Sequence, residues 1–325
     1  MSGSIVYLCP GQGSQAVGMG VAWGEASPAA QEVIGEADEV LGALDAAAGR
    51  RLSQVCASGP ADVINRTDIS QPALFTVGIA CQRALAQRGA PPTIRAAAGL
   101  SLGEYTALCI AGAFSFADGL RLVALRGRLM QQAAESSRGG MVALIGADEA
   151  SAQALCDECG QGEPLVCANF NAPGQIVISG AAAACERAAA AAPSRGLRSA
   201  KLAVAGAFHS PLMAPAAEGM AAALRAVELQ PLKCEVWSNV TARPHDPTDP
   251  ELLRKLLVQQ LTSPVRWSQS CAALLAGLSA EPERAALAEL APGAVLKGLM
   301  RRIDRSWETP SHDQPSDPIT SAPPA

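Results

Sequence analysis

The chain has 325 residues, enough for about two folding units at ~150 residues each. Hydrophobic residues make up 49% and charged residues 17%, which supplies a sizeable core and is too little charge for a disordered chain. Lys and Arg number 25 against 30 Asp and Glu, a formal charge of -5, so no overall basic footprint exists for a polyanion and nucleic acid is disfavoured as a partner.

Met1 to Gln15 has no basic lead and reaches Pro10 and Gly11 after one short apolar run. It does not read as a secretory signal, and the cytoplasm is the expected compartment. Ser4 to Cys9 reads as a buried strand that feeds a tight loop at Pro10-Gly11-Gln12-Gly13. From Gln71 to Arg88, Leu74, Val77, Ile79, Cys81 and Leu85 lie at mainly helical spacing, and Gly89 with Pro91 ends the pattern. Ile94 to Leu100 then reads as a strand, followed by helices over Gly103 to Ala113 and Phe116 to Ala134. Strand alternating with helix predicts a parallel α/β sheet.

The rhythm changes in the middle. Met141 to Ile145 predicts a strand, Glu149 to Cys159 a helix, Pro164 to Ala168 and Gln175 to Ser179 strands, Ala181 to Ala192 a helix and Leu197 to Val204 a strand. That order, βαββαβ, is the ferredoxin-like arrangement, so residues 138–205 are expected to form a small domain inserted in a larger one. The larger domain is then discontinuous, residues 1–137 and 206–305, resuming with a helix from Met213 to Val227. Residues 306–325 are rich in Pro, Ser and Asp with almost no apolar pattern, and read as a mobile tail. No stretch approaches the ~18 uninterrupted apolar residues of a bilayer span; even the run Ala181 to Ala192 is broken by Cys185, Glu186 and Arg187. The ten cysteines sit mostly inside apolar segments, as reduced core thiols do. Only Cys156 and Cys159 have metal-like spacing, and no second CxxC or His pair completes a zinc set, so no metal site is expected.

Gly99-Leu100-Ser101-Leu102-Gly103 is a G-x-S-x-G sequence where an apolar strand meets a helix, the context of a nucleophile elbow. The glycines permit a sharp turn, Ser101 projects at a helix N-terminus, and the Leu102 N–H is free for an oxyanion. A Gly/Ser turn that merely caps a helix gives the same letters. A serine hydroxyl needs a base, and there are three histidines. His312 falls in the expected tail, and His245 lies in Arg243-Pro244-His245-Asp246-Pro247, which reads as an exposed loop. His209, in the loop between the last small-domain strand and the next helix, remains as the base if Ser101 is a nucleophile, its alternative being a structural histidine.

Six segments occur together and in order: Pro10-Gly11-Gln12-Gly13-Ser14-Gln15, Gly99 to Tyr105, Leu125-Arg126-Gly127 with Met130, Ala168-Asn169-Phe170-Asn171 with Pro173-Gly174, Gly206-Ala207-Phe208-His209-Ser210, and Gln260-Leu261 leading to Pro264-Val265-Arg266-Trp267. By these the chain resembles the malonyl-CoA:acyl-carrier-protein transacylases, acyltransferases of fatty acid and polyketide synthesis. The resemblance implies an α/β-hydrolase-like large domain with a ferredoxin-like insert. It implies Ser101 as acyl-carrying nucleophile, His209 as base oriented by a main-chain carbonyl, and the Gln12 and Leu102 amides as oxyanion hole. Many bacterial members have histidine where this chain has Leu100, and the form here is similar to plastid members; that imidazole is absent here, leaving His209 as the base.

Arg126 lies in an apolar helical stretch and needs a partner. A salt bridge within the protein would satisfy it, but the matching Leu-Arg-Gly implies a clamp on a malonyl carboxylate, which a guanidinium grips through two parallel bonds. The same resemblance places Met130, Phe208, Gln260 and Asn169 around the substrate, with Phe208 crowding an α-methyl group; without it, Gln260 reads as a surface residue of a helix from Glu251 to Leu261. The implied reaction carries malonyl from malonyl-CoA to the phosphopantetheine thiol of acyl carrier protein, with no bound cofactor and a monomeric enzyme. A serine thioesterase, or an acyltransferase of a polyketide or malonate decarboxylase system, would share these residues. The carrier is acidic in this family, and Arg187, Arg195, Arg198, Lys201, Lys297, Arg301 and Arg302 are candidate docking residues or an ordinary solvated face.

Overall fold

The computed structural model describes residues 3–88, 92–281 and 284–318. The expected helix stop at Gly89 and Pro91, and the last seven residues of the expected tail, lie outside the described residues.

Two sheets organise the molecule. The first holds β1 (Ser4–Cys9), β2 (Thr93–Gly99), β7 (Glu235–Trp237), β8 (Ala286–Leu290) and β9 (Ser311–His312) in the order β7-β2-β1-β8-β9, every pair parallel. The second holds β3 (Gly139–Ile145), β4 (Leu165–Ala172), β5 (Gln175–Ala181) and β6 (Arg198–Lys201) in the order β4-β5-β3-β6, every pair antiparallel. With helices at Glu149–Gly160 and Ala182–Ala191 between its strands, this second sheet has the ferredoxin-like order that the sequence rhythm predicts.

β1 is apolar without interruption because both of its faces are covered. Ile5, Tyr7 and Cys9 belong to the large core, on the side of the helices Thr67–Ala86 and Gly103–Ile110, whereas Val6 and Leu8 belong to a second core with Trp267, Leu274 and Leu275 of the helix Trp267–Ser279 and with Leu296 and Met300 of the helix Val295–Ile303. The second sheet divides by the same alternation. Val142, Leu144, Ile176 and Ile178 join Leu155, Cys156, Ala184 and Ala188 in a separate core, whereas Met141, Ala168 and Val177 face the large core. Cys156 and Cys159 both lie buried in the small core.

Three expectations need correction. Residues 306–318 are not a loose tail: Trp307 packs into the core with Val6 and Leu8, and β9 adds to the sheet edge through Glu289 N–H on Pro310 O at 2.9 Å. A few apolar residues spaced irregularly suffice to dock a strand on an open parallel edge. β6 ends at Lys201, short of the expected Val204: the Leu202 N–H still donates to Met141 O at 3.0 Å, and from there Ala203 and Val204 part from the sheet and line a cavity. β4 instead runs past Ala168 to Ala172, held from outside its own sheet by Phe170 N–H on Val265 O (2.9 Å) and Val265 N–H on Ala168 O (2.8 Å). That longer β4 turns Asn169 toward the cavity while Phe170 enters the small core.

Candidate active site

The strand-to-helix turn is tight because two glycines let backbone meet backbone. A Cβ on Gly103 would lie 2.0 Å from Cys9 O, so only glycine lets the helix Gly103–Ile110 start against β1. Ser101 takes φ +53°, a left-handed conformation costing about 1–2 kcal/mol for a non-glycine residue. Three contacts hold it there: its N–H donates to Asn239 Oδ1 at 2.6 Å, its carbonyl accepts from Gln260 Nε2 at 2.9 Å, and Asn239 Nδ2 ties back to Gly99 O at 2.7 Å.

His209, also at positive φ (+56°), brings Nε2 to 2.8 Å from Ser101 Oγ. Its Nδ1 lies 2.7 Å from Gln260 O, and a carbonyl can only accept, so the proton sits on Nδ1 and Nε2 is left to take the serine proton. No carboxylate is needed to set the tautomer. Burial, and secondarily the Arg126 charge, lower the imidazole pKa to about 4, against the opposing pull of the Gln260 carbonyl. The imidazole is therefore neutral at pH 7.

Arg126 reaches the same point from the helix Phe116–Ser136. Gly127 beside it lets that helix approach the start of the helix Thr67–Ala86, since a Cβ there would lie 2.6 Å from Thr67 O. The guanidinium is 1% exposed. Nη1 donates to Gln71 Oε1 (2.7 Å), and Nη2 donates to Gln260 Oε1 (2.8 Å) and Ser101 Oγ (3.2 Å). It lies 5.5 Å from the Tyr105 ring centroid. Its hydrogen-bond partners are thus all neutral, and burial pulls its pKa below the usual arginine range, with Tyr105 and Glu104 opposing.

A cavity of about 350 Å³ opens over these groups, lined by Gln12, Ser101, Leu102, Arg126, Met130, Asn169, Phe208 and His209 among others. Neither the Gln12 nor the Leu102 N–H has a protein acceptor among the described residues, so both are available to an incoming oxygen. Leu100 joins the lining, where its side chain offers no donor. Gln260 is the departure: it is fully buried behind the cavity and does not line it, because both ends of its amide are consumed by Arg126, Ser101 and Glu104. A larger cavity, about 480 Å³, lies elsewhere, under Met19, Ile34 and Leu52, and contains none of these groups.

The "Acyl transferase domain" family model matches residues 6–319. The chain belongs to this family. It is 40% identical over 299 residues to a malonyl CoA-acyl carrier protein transacylase of Salmonella typhimurium, covering 91% of this chain and 92% of that one. A crystal structure of malonyl-CoA:acyl carrier protein transacylase from Xanthomonas oryzae superposes with a TM-score of 0.88 at 41% identity, covering 98% and 96% of the two chains. A malonyl-transacylase in complex with a type II PKS acyl-carrier protein superposes with a TM-score of 0.87 at 35% identity, covering 96% of each chain. The α/β fold with a parallel sheet and a separate antiparallel sheet is that of these acyltransferases.

Sequence reasoning missed four residues of the site. Gln71 is visible only as a polar residue in an apolar helical run, and Asn239 carries no signal beyond Ser-Asn before Val240. Glu104 lies inside a matched motif and is 1% exposed. His245, expected on a solvated loop, is instead buried with Nε2 2.7 Å from Glu104 Oε1; the loop is drawn inward by its N–H bond to Val236 O at 2.8 Å. His312 is likewise buried, in β9. Of the basic candidates, Arg187 is taken up by Glu163 and by the carbonyls of Cys159 and Gly160, and Arg195 by Glu158, whereas Arg198, Lys201, Lys297, Arg301 and Arg302 are exposed.

Proposed function

We propose that the protein transfers a malonyl group from malonyl-CoA to the phosphopantetheine thiol of an acyl carrier protein, through an ester on Ser101. The observation that carries this reading is one oxygen with two partners: Ser101 Oγ lies 2.8 Å from a neutral imidazole nitrogen and 3.2 Å from a buried guanidinium. Arg126 receives the malonyl carboxylate and so sets the thioester carbonyl over Ser101. His209 Nε2 takes the hydroxyl proton as Oγ attacks, and the imidazolium keeps its Nδ1–H on Gln260 O. The Gln12 and Leu102 amides take the oxyanion, each such donor being worth about 3 kcal/mol to a transition state. Collapse expels CoA thiolate, which leaves with the His209 proton.

In the second half-reaction His209 takes the proton of the carrier's thiol, the thiolate attacks the ester carbonyl, and the proton returns to Ser101 Oγ as the bond breaks. The chain's own residues suffice for every step, and no bound cofactor enters. The Phe208 ring lines the cavity and favours an unbranched malonyl over an α-methyl analogue. Exposed Arg198, Lys201, Lys297, Arg301 and Arg302 are the remaining basic candidates for meeting the acidic carrier. We assign the reaction to fatty acid synthesis, in a cytoplasmic and monomeric enzyme.

Incubating the protein with malonyl-CoA, then adding holo-carrier protein or buffer alone, tests the reading. Intact-protein mass spectrometry should show a malonyl adduct that is absent in Ser101→Ala and is discharged onto the carrier. Discharge to free malonate in buffer at the carrier's rate would make the protein a hydrolase instead.

A further inference from the structure

The substrate pocket accounts for Ser101, His209 and Arg126, but these three are joined behind it by a buried assembly that does not line the cavity. Gln260 is its centre. Its carbonyl holds His209 Nδ1–H at 2.7 Å, its Nε2 donates to Ser101 O at 2.9 Å, and its Oε1 accepts from Arg126 Nη2 at 2.8 Å. A primary amide carries an acceptor at one end and a donor at the other, so something must decide which end faces Arg126. That is Glu104: its Oε2 accepts from Gln260 Nε2 at 2.6 Å, and Oε1 lies 2.7 Å from His245 Nε2. The Asn239 N–H also reaches Oε2, at 3.3 Å. Glu104, Gln260 and Asn239 are each 0–1% exposed, so water does not compete for these bonds.

We infer that Glu104, braced by His245, is a positioning residue for the transfer reaction, fixing the Gln260 amide so that Arg126 is held by a carbonyl oxygen and stays open to a substrate carboxylate. The inference rests on the malonyl-transfer reading. A carboxylate in direct contact with Arg126 would compete with the substrate's. Placing one amide between them relays part of the anion's field through an oriented dipole and leaves the fork unblocked. Glutamine in Glu104's place offers one oxygen where the carboxylate offers two, so its NH2 must face either the Gln260 NH2 or the His245 Nε2–H: in the first case the Gln260 amide turns over and two donors face each other at Arg126, in the second the brace from His245 is lost.

The test is single-turnover acylation of Ser101 by malonyl-CoA and by acetyl-CoA, alongside thermal melts, for the wild type and for Glu104→Gln, His245→Gln and His245→Leu. Glu104→Gln should lose about tenfold to a hundredfold in malonyl kcat/KM, the effect of one unpaired buried donor, with a much smaller loss for acetyl. His245→Gln keeps a nitrogen donor toward Glu104 and should stay near wild type, whereas His245→Leu should shift the malonyl-to-acetyl ratio as Glu104→Gln does. If Glu104→Gln does not fold, the His245 pair decides. An unchanged malonyl-to-acetyl ratio in folded Glu104→Gln or in His245→Leu, with or without a lower melting temperature, overturns the inference and leaves the assembly a purely structural one. A wild type that forms no malonyl adduct would overturn the transfer reading itself.

Discussion

Arg126→Ala separates binding of a carboxylate from the rest of the chemistry. In the folded chain the guanidinium is 1% exposed and its partners at 2.7, 2.8 and 3.2 Å are two amide oxygens and a hydroxyl. Two unit charges about 4 Å apart attract by ~4 kcal/mol at an effective dielectric of ~20. Desolvating the malonyl carboxylate offsets part of this, leaving about 2–3 kcal/mol, or roughly 30-fold to 150-fold in kcat/KM. Acetyl-CoA has no carboxylate, so Arg126→Ala should cost it less than about tenfold, through the bonds lost by the Gln71 and Gln260 oxygens and by Ser101 Oγ. Arg126→Lys keeps the charge without the planar fork and should fall between. Ser101 acylation under subsaturating thioester, followed by intact-protein mass spectrometry, gives both ratios. Equal losses for malonyl and acetyl would refute the carboxylate clamp and leave Arg126 a structural cation.

With His209 held at about 4, acetylation of Ser101 should be nearly independent of pH above about 5 and fall as pH drops through about 4; a midpoint near the usual imidazole value would show that the base is solvated. The same depressed pKa acts on stability, because the unfolded chain binds the proton first: stability is lost as pH falls from about 6.5 through about 4, by ~3 kcal/mol in all, and denaturant melts of His209→Gln should lack that loss. Glu289 acts in the opposite direction. Burial raises its carboxyl to about 7 although the Leu296 and Lys297 amides donate to it at 2.7 and 2.8 Å, so the folded chain keeps a proton that the unfolded chain releases. Its contribution to stability falls as pH rises from about 4.5 to about 7, by ~3 kcal/mol, and Glu289→Gln should flatten that slope; an unchanged slope would place the titration elsewhere.

The large-scale fold was legible because two patterns are plain in the chain: β1 from Ile5 and β2 from Ala96 onward are apolar without alternation, as strands covered on both faces are, and residues 139–201 alternate short strands with short helices. β7 has three residues and β9 two, too short to carry any period, and both owe their place to neighbours. Trp307 is an isolated aromatic in a polar stretch; burial against Val6 and Leu8 is a property of the packed sheet and leaves no mark in the local sequence. At the site, Gln12, Ser101, Leu102, Arg126, Asn169 and His209 border the cavity from inside short motifs, where a sharp turn or a buried arginine betrays a special role. Gln71, Asn239 and His245 act through contacts 55 to 141 residues away along the chain, and no local pattern announces such a contact. His245 shows the cost of reading polarity as exposure: its Arg-Pro-His-Asp-Pro setting is that of a surface loop, yet one main-chain bond to Val236 turns the ring inward.

A base with a pKa of about 4 is a poor one for a serine hydroxyl, and this constrains how the site works. In the proposed transfer it cannot build up alkoxide in advance, so proton transfer to His209 must accompany attack on the thioester, with the Gln12 and Leu102 amides proposed to stabilise the developing charge on the carbonyl oxygen at once. The burial that weakens the base also removes the water that would weaken those amide bonds and the grip of Arg126. Arg126 is the second cause of the low imidazole pKa, and a malonyl carboxylate paired with it cancels that repulsion. His209 then becomes more basic when the bound thioester carries a carboxylate than when it does not. The apparent pKa of Ser101 acylation should accordingly lie higher with malonyl-CoA than with acetyl-CoA, and in Arg126→Ala the two profiles should coincide. Profiles that coincide in the wild type would mean that the clamp positions the substrate without any electrostatic effect on the base.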